Sequence, residues 1–334
     1  MSQQNNLSIT NNSSKKVKIF KVSPRDGLQN ESFILETSSK KVKIFEVSPR
    51  DGLQNESFIL ETSSKVKMIE RLILTGITNI EVTSFVSTKA IPQFYDSKEV
   101  IQSVNDIPNI NISVLVPNLK GMEKAIENNV KEIAIFTSVS EKFNNNNIGC
   151  SIEESFNRFA PIMELAKKNN IRVRGYLSCI AGCPFQEPIK LTDIYNITKK
   201  LLDIGVYEVS LGDTIGVGTP DQIEEILEYL INNNINNNQL AIHFHNTNGN
   251  ALENIKVALN YGIRTIDSSI AGIGGCPYAK TDNNKSIGNV STEEVVKLMN
   301  DLGYETGINY NRLMKASNEI KKILNISEEY ISKK

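Results

Sequence analysis

A chain of 334 residues, 40 % of them hydrophobic, can bury a large core, and its formal net charge of −1 argues against a surface built for nucleic acid or acidic membrane lipid. No apolar run approaches the roughly 18 residues that span a bilayer, and no hydrophobic secretory segment opens the chain, so an intracellular, non-secreted protein is expected. Four cysteines without a CxxC pair make no disulfide framework and suit a reducing compartment.

The opening MSQQNNLSITNNSS is polar and lacks the arginines of a good mitochondrial presequence. A long phrase follows and is then repeated. Residues 13–40 recur as residues 38–65, with a period of 25 and one mismatch, Lys21 against Glu46. Each copy carries SPRDGLQNE, so the chain holds an Arg25–Asp26 pair and an Arg50–Asp51 pair.

From residue 41 short β-branched runs alternate with longer amphipathic stretches. Eight runs read as strands: 42–48, 79–85, 112–117, 132–138, 172–178, 207–212, 240–245 and 265–271. Between them, KVKMIERLILTG has helical spacing and stops at Gly76. Ser151 and Glu154 form a capping-box pattern, Thr219–Pro220 caps and opens a helix, and STEEVVKLMNDLG ends at Gly303. The asparagine runs FNNNNIG (143–149) and INNNINNNQ (231–239) read as loops. Eight strand–helix units imply a closed parallel (β/α)8 TIM barrel; the doubly wound alternative would want a GxGxxG after its first strand, which is missing. The expected organisation is an N-terminal extension with a spare motif copy over 1–40, a catalytic barrel with a C-terminal helix over 41–327, and a tail over 328–334.

In such a barrel, chemistry sits at the C-terminal ends of strands. Arg50 and Asp51 follow strand one, Glu81 lies in strand two, Asp213 follows strand six, and His243 and His245 close strand seven. The two histidines are the only two in the chain; at i and i+2 of a strand they share a face and suit a divalent metal, the alternative being two satisfied structural imidazoles. Asp51 can add a hard oxygen ligand, and Arg50 can meet negative charge on a carbonyl oxygen; the alternative is a surface ion pair at an Asp-Gly turn. The glycine-rich segment 272–290 holds Cys276 and suits a mobile lid, with Cys276 either an acid–base group or an inert small residue. Cys179 and Cys183 read as packing residues.

Taken in one order, SPRDGLQNE, IEVTSFVS, SLGDTIGVGTP, HFHNT and AGIGGCPYAK…GNVSTE resemble 3-hydroxy-3-methylglutaryl-CoA lyase over about residues 41–325. RDG and HxH are shared with a wider superfamily of metal-dependent barrels that includes condensing synthases; GGCPYAK with its cysteine is particular to the lyases. The resemblance implies cleavage of 3-hydroxy-3-methylglutaryl-CoA to acetyl-CoA and acetoacetate, with a Mg²⁺ or Mn²⁺ ion, a CoA-thioester substrate and a homodimer. It implies Arg50 as the residue that stabilises the thioester enolate, and Asp51, His243, His245 and Asn289 as metal ligands. Glu81 and Asp213 are implied as active-site acids, His243 as base or proton shuttle with Asp51 as competitor, and Cys276 as the lid cysteine. It also implies the mitochondrial matrix, with the cytosol as alternative given the weak presequence. Two departures stand out: the segment between GCPYAK and GN is about four residues longer, through TDNNKSI, and Asn246 replaces an aspartate common in the family. The rival expectations are a condensing synthase and a barrel inactivated by the duplication. Of the two motif copies, the second leads directly into the next helix and strand, and has the acidic residue, Glu46, that the family carries; it is expected to form strand one.

Overall fold

The computed structural model describes residues 41–324 apart from 55, 57, 186–187 and 276–287. Its eight strands are β1 (Lys43–Glu46), β2 (Asn79–Ser84), β3 (Asn111–Leu115), β4 (Glu132–Ser138), β5 (Arg172–Ser178), β6 (Glu208–Asp213), β7 (Leu240–Phe244) and β8 (Thr265–Ser268). They close into one parallel barrel in sequence order, with β1 paired to β8 from Lys43↔Thr265 to Glu46↔Ser268. The TIM-barrel expectation is therefore met, and the strand inside it is the second motif copy. The first copy with Arg25 and Asp26, the lid residue Cys276, the TDNNKSI stretch and the tail 328–334 lie outside the described residues.

The helices are α1 (Thr62–Ile73), α2 (Ser97–Val104), α3 (Leu119–Glu127), α4 (Glu141–Ile148), α5 (Ile152–Lys168), α6 (Leu191–Asp203), α7 (Pro220–Asn232), α8 (Ala251–Asn260), α9 (Thr292–Asp301) and α10 (Tyr310–Ile323). The expected caps are present. Ser151 Oγ accepts from Glu154 N at 3.1 Å while Glu154 Oε2 accepts from Ser151 N at 2.8 Å, which satisfies two orphan N–H groups of α5 at once. Thr219 Oγ1 accepts from Gln222 N at 3.3 Å ahead of α7. Among the described residues no helix is long and apolar enough to cross a membrane.

Two readings are corrected. FNNNNIG is not a loop: α4 runs through it, because Ser140 caps its start, Phe143 is buried and Gly149 ends it in the left-handed conformation (φ 65°). Asn144 in that helix is itself buried and donates to Cys150 O at 2.9 Å. The first and last strands are also shorter than read. β1 stops at Glu46 and β8 at Ser268, since the residues after them leave the sheet to build the barrel mouth. Cys179 and Cys183 do pack, against Phe143, as expected.

The apolar core lies between the sheet and the helical ring, where residues such as Ile80, Leu211, Leu72, Leu230 and Val295 are fully buried. Burying both faces of each strand is the normal requirement of a parallel sheet. The barrel interior is different. Instead of branched aliphatic layers it contains Arg174, whose Nε donates to Glu208 Oε2 at 2.9 Å and whose two terminal nitrogens donate to Asp267 at 3.0 and 2.7 Å. Phe45 lies against that guanidinium, 4.3 Å from its carbon to the ring centroid.

Candidate active site and metal centre

The turn after β1 sets the first two functional side chains. Val47 O accepts hydrogen bonds from the amides of Arg50, Asp51 and Gly52 at 3.1, 2.7 and 3.2 Å, winding Ser48–Gly52 into one π-helical turn. π-type turns of this kind re-aim side chains and recur at functional sites. Adjacent side chains that would diverge in a strand here reach the same mouth, and Arg50 Nη1 donates to Asp51 Oδ1 at 2.5 Å. Glycines hold the turn against the loop after β8. A Cβ on Gly274 (φ 94°) would lie 2.9 Å from both Asp51 O and Gly52 Cα, and one on Gly288 would lie 2.1 Å from Gly274 O.

Arg50 also donates through Nε to Glu81 Oε1. Glu81 sits where the β2–β3 register shifts between Glu81 and Thr83, and its other oxygen accepts from Tyr176 Oη at 3.3 Å. The Tyr176 ring lies 5.4 Å from the Arg50 guanidinium carbon and meets the His243 ring edge-on at 5.8 Å. Burial works against the charge on Arg50, but Glu81 and Asp51 outweigh it and hold the guanidinium cationic. Burial likewise opposes the Asp51 carboxylate, and Arg50 with the two imidazoles outweighs that, keeping it well below the usual carboxylate range.

His243, in β7, and His245, one residue past its end, project to the same side, as their spacing requires. Their Nε2 atoms are 3.3 Å apart, and His243 Nε2 is 3.8 Å from Asp51 Oδ2. Asn289 is bridged to His245 in the backbone, and its amide contacts Asp51 Oδ2 at 2.8 Å. An amide end can present oxygen or nitrogen by a half-turn. On the other side of His243, Nδ1 faces Asp267 Oδ2 at 3.3 Å. With Nδ1 donating there, Nε2 of His243 presents a lone pair toward His245 and Asp51. His245 is neutral near pH 7, because burial and the neighbouring imidazole bring its pKa down to about 4. Two imidazole Nε2 atoms and an ionised carboxylate thus converge, with an amide at the edge. Among the described residues, Asp51, His243 and His245 form the one such group whose donor atoms all lie within 4.8 Å of one another. That donor set fits a divalent cation.

The structure therefore brings Arg50, Asp51, Glu81, His243, His245 and Asn289 to one mouth. Asp213 is not joined to them through its carboxylate, which is buried and accepts from the amides of Val217 and Gly218 at 3.2 and 2.9 Å, shaping the β6–α7 loop. Reading the sequence also missed Arg174, Tyr176, Ser210 and Asp267. Ser210 Oγ donates to Asp267 Oδ2 at 2.8 Å, and Arg174 Nη1 donates to Tyr176 Oη at 3.2 Å. A signal existed: Arg174 and Tyr176 are i and i+2 in one strand, and a charged residue at that period in a parallel barrel must point to the helices or the interior.

Comparison with known proteins places the chain in a family. A family model described as HMGL-like matches residues 41–320, starting at the second motif copy. The chain belongs to the HMGL-like family. Among curated members of the family, the mitochondrial hydroxymethylglutaryl-CoA lyase of Homo sapiens is 47 % identical over 93 % of this chain and 86 % of its own length. The cytoplasmic 3-hydroxy-3-methylglutaryl-CoA lyase of Rattus norvegicus is 45 % identical over 92 % of this chain and 81 % of its own. The chain spans 59 % of the length of the mitochondrial Arabidopsis thaliana member, at 45 % identity over 92 % of this chain. Of solved HMGL-like structures, the hydroxymethylglutaryl-CoA lyase of Pseudomonas aeruginosa superposes with a TM-score of 0.83 at 42 % identity, covering 88 % of this chain and 97 % of that one. A lyase of the same name in complex with coenzyme A and 3-methylmalate gives 0.81 at 34 % identity, over 86 % and 93 % of the two chains.

Proposed function

We propose that the protein cleaves 3-hydroxy-3-methylglutaryl-CoA to acetyl-CoA and acetoacetate by a reverse Claisen-type reaction, serving leucine degradation and ketone-body formation. The observation that carries this reading is one mouth where a cation-binding group and a buried, charge-locked arginine sit side by side, bridged by Asp51. Such a reaction needs two things at once: a way to ionise a tertiary hydroxyl, and a positive group for the charge that appears on the thioester oxygen when the carbon–carbon bond breaks.

Asp51, His243, His245 and Asn289 are the residues that would hold a divalent cation, Mg²⁺ or Mn²⁺. When bound, the cation supplies Lewis acidity that lowers the pKa of the substrate hydroxyl. Arg50 then serves the opposite end of the breaking bond. Glu81 and Asp51 fix its guanidinium before substrate arrives, so little reorganisation is needed as charge develops; a donor of that kind contributes roughly 3–4 kcal/mol to the transition state. His243 is the proposed proton acceptor from the hydroxyl, a role open to its Nε2 only while that atom is not holding the cation, because Nδ1 faces Asp267; Asp51 is the competing group. The enolate carbon then receives a proton relayed by Cys276 or Glu81, with the 272–290 loop closing out water. Asp213 acts by shaping the β6–α7 loop at the same mouth. The substrate is a CoA thioester, the assembly a homodimer, and the compartment the mitochondrial matrix, with the cytosol as alternative. The first 40 residues are an extension, and residues 41–327 the catalytic unit.

The test is to incubate purified protein with 3-hydroxy-3-methylglutaryl-CoA, with Mg²⁺ and with EDTA, and to follow acetoacetate. A parallel incubation supplies acetyl-CoA plus 2-oxoacids. Metal-dependent cleavage is expected; condensation in the parallel incubation without cleavage would assign the barrel to the synthase branch.

A further inference from the structure

The repeated segment leaves a question that the lyase reading does not touch. Two stretches of one chain, identical at every position but one, could each serve as β1. Every contact made by Lys43, Phe45, Arg50, Asp51 or Gly52 is available in sequence to its counterpart in the first copy. A preference between the copies within the barrel must therefore come from the single mismatch, Lys21 against Glu46, together with chain connectivity.

Connectivity is a weak discriminator. If the first copy took the β1 position, the chain could cross back to the second copy's numbering anywhere within the identical stretch, including the connection between Gly52 and α1. That connection would grow by the 25-residue period. Closing a longer flexible loop costs an amount that rises only with the logarithm of its length.

The mismatch is a strong one. Glu46 is completely buried and joins three parts of the mouth. Its Oε1 accepts from Ser48 N at 3.1 Å, within the turn that carries Arg50 and Asp51, and from Ile270 N at 2.9 Å, where the chain leaves β8. Its Oε2 accepts from Thr292 Oγ1 at 2.6 Å, at the start of α9 and three residues beyond Asn289. Thr292 is held in turn by Ser268 Oγ at 2.8 Å. The pocket thus presents two backbone N–H donors and a hydroxyl to one acceptor. Burial raises the Glu46 pKa to about 7 against the pull of these donors, yet a carboxyl or carboxylate accepts from them in either state. A lysine there has three donors and no acceptor. It would leave both N–H groups unsatisfied and bury an unpaired ammonium.

We propose that Glu46 is the positioning residue that assigns the β1 position to the second copy of the repeat, and that Lys21 bars the first copy from the same position. Glu46 acts through others, by fixing the Arg50–Asp51 turn against the segments that bear Ile270 and Asn289.

The experiment exchanges the two residues in the full chain and reads hydrogen exchange without substrate, so its outcome is independent of whether the protein is a lyase. Peptides containing position 21 and position 46 differ in mass and are followed separately. In the parent protein the second-copy peptide is expected to exchange more slowly than the first-copy peptide, and equal exchange would overturn the proposal. In K21E/E46K the slow exchange moves to the first copy; slow exchange retained by the second copy overturns the proposal. Should the double variant accumulate poorly, E46K and K21E/E46K are compared for soluble yield and melting temperature. Restoration of E46K by K21E is expected, and no restoration overturns the proposal. E46Q, which keeps an acceptor oxygen for the two amides, should retain the parental exchange pattern, and a pattern like that of E46K would contradict the role of the acceptor.

Discussion

The two sides of the barrel wall are built on opposite principles. Outside, between strands and helices, Leu72, Leu230, Ile80 and Val295 pack as an ordinary apolar layer. Inside, Arg174, Glu208, Asp267, Ser210, Tyr176, Glu81 and Arg50 form a column of charge and hydrogen bonds that rises to the donor group of Asp51, His243 and His245. Hydrocarbon would fill that space more cheaply, since buried ion pairs are often no better than apolar replacements. The difference teaches that the interior is organised to aim groups at the mouth, and that the outer layer supplies the fold.

Substitutions on the two sides should separate these duties. The largest effect is expected inside, from Arg174→Met, which strands Asp267 and Glu208 without their shared cation. Urea unfolding should show a loss of about 3–5 kcal/mol; an unchanged midpoint would mean that the column is not a structural unit. Outside, Leu230→Ala removes a fully buried side chain from α7 and should cost about 3 kcal/mol of stability. The turnover number of the folded fraction should stay at the parental value, and a fall in it would blur the division. Smaller again is Asp267→Asn, which keeps the shape beside His243 Nδ1 and removes the negative charge. Titration with Mn²⁺ should show an affinity weaker by about 10–100-fold, and the fall in melting temperature should be smaller than in Arg174→Met because Arg174 keeps Glu208. Loss of folding instead would make Asp267 a part of the scaffold alone.

The same division explains what could be read from the sequence. The outer layer writes itself as β-branched runs and helical spacing, so all eight strands and the closed barrel were legible. The mouth was legible where rare residues fall at strand ends, as with the Arg50–Asp51 pair and the only two histidines. The interior column was not, because Arg174 and Asp267 lie within runs that read as ordinary strands, and nothing local says that they meet across the barrel. Asp213 was legible as an acid at a strand end, but which atoms its carboxylate holds depends on the path of the 216–218 loop. FNNNNIG misled because asparagine frequency outweighed the Ser140 cap, a local signal, and because the burial of Phe143 is a tertiary fact.

The repeated segment gives the most direct measurement. Turnover of 3-hydroxy-3-methylglutaryl-CoA is compared in Arg50→Gln and Arg25→Gln, two variants that alter the same motif 25 residues apart. With the second copy in the barrel wall, Arg50→Gln should lower kcat roughly 100–1000-fold, and Arg25→Gln should leave it at the parental value. Equal losses in the two variants, or a loss confined to Arg25→Gln, would contradict the account.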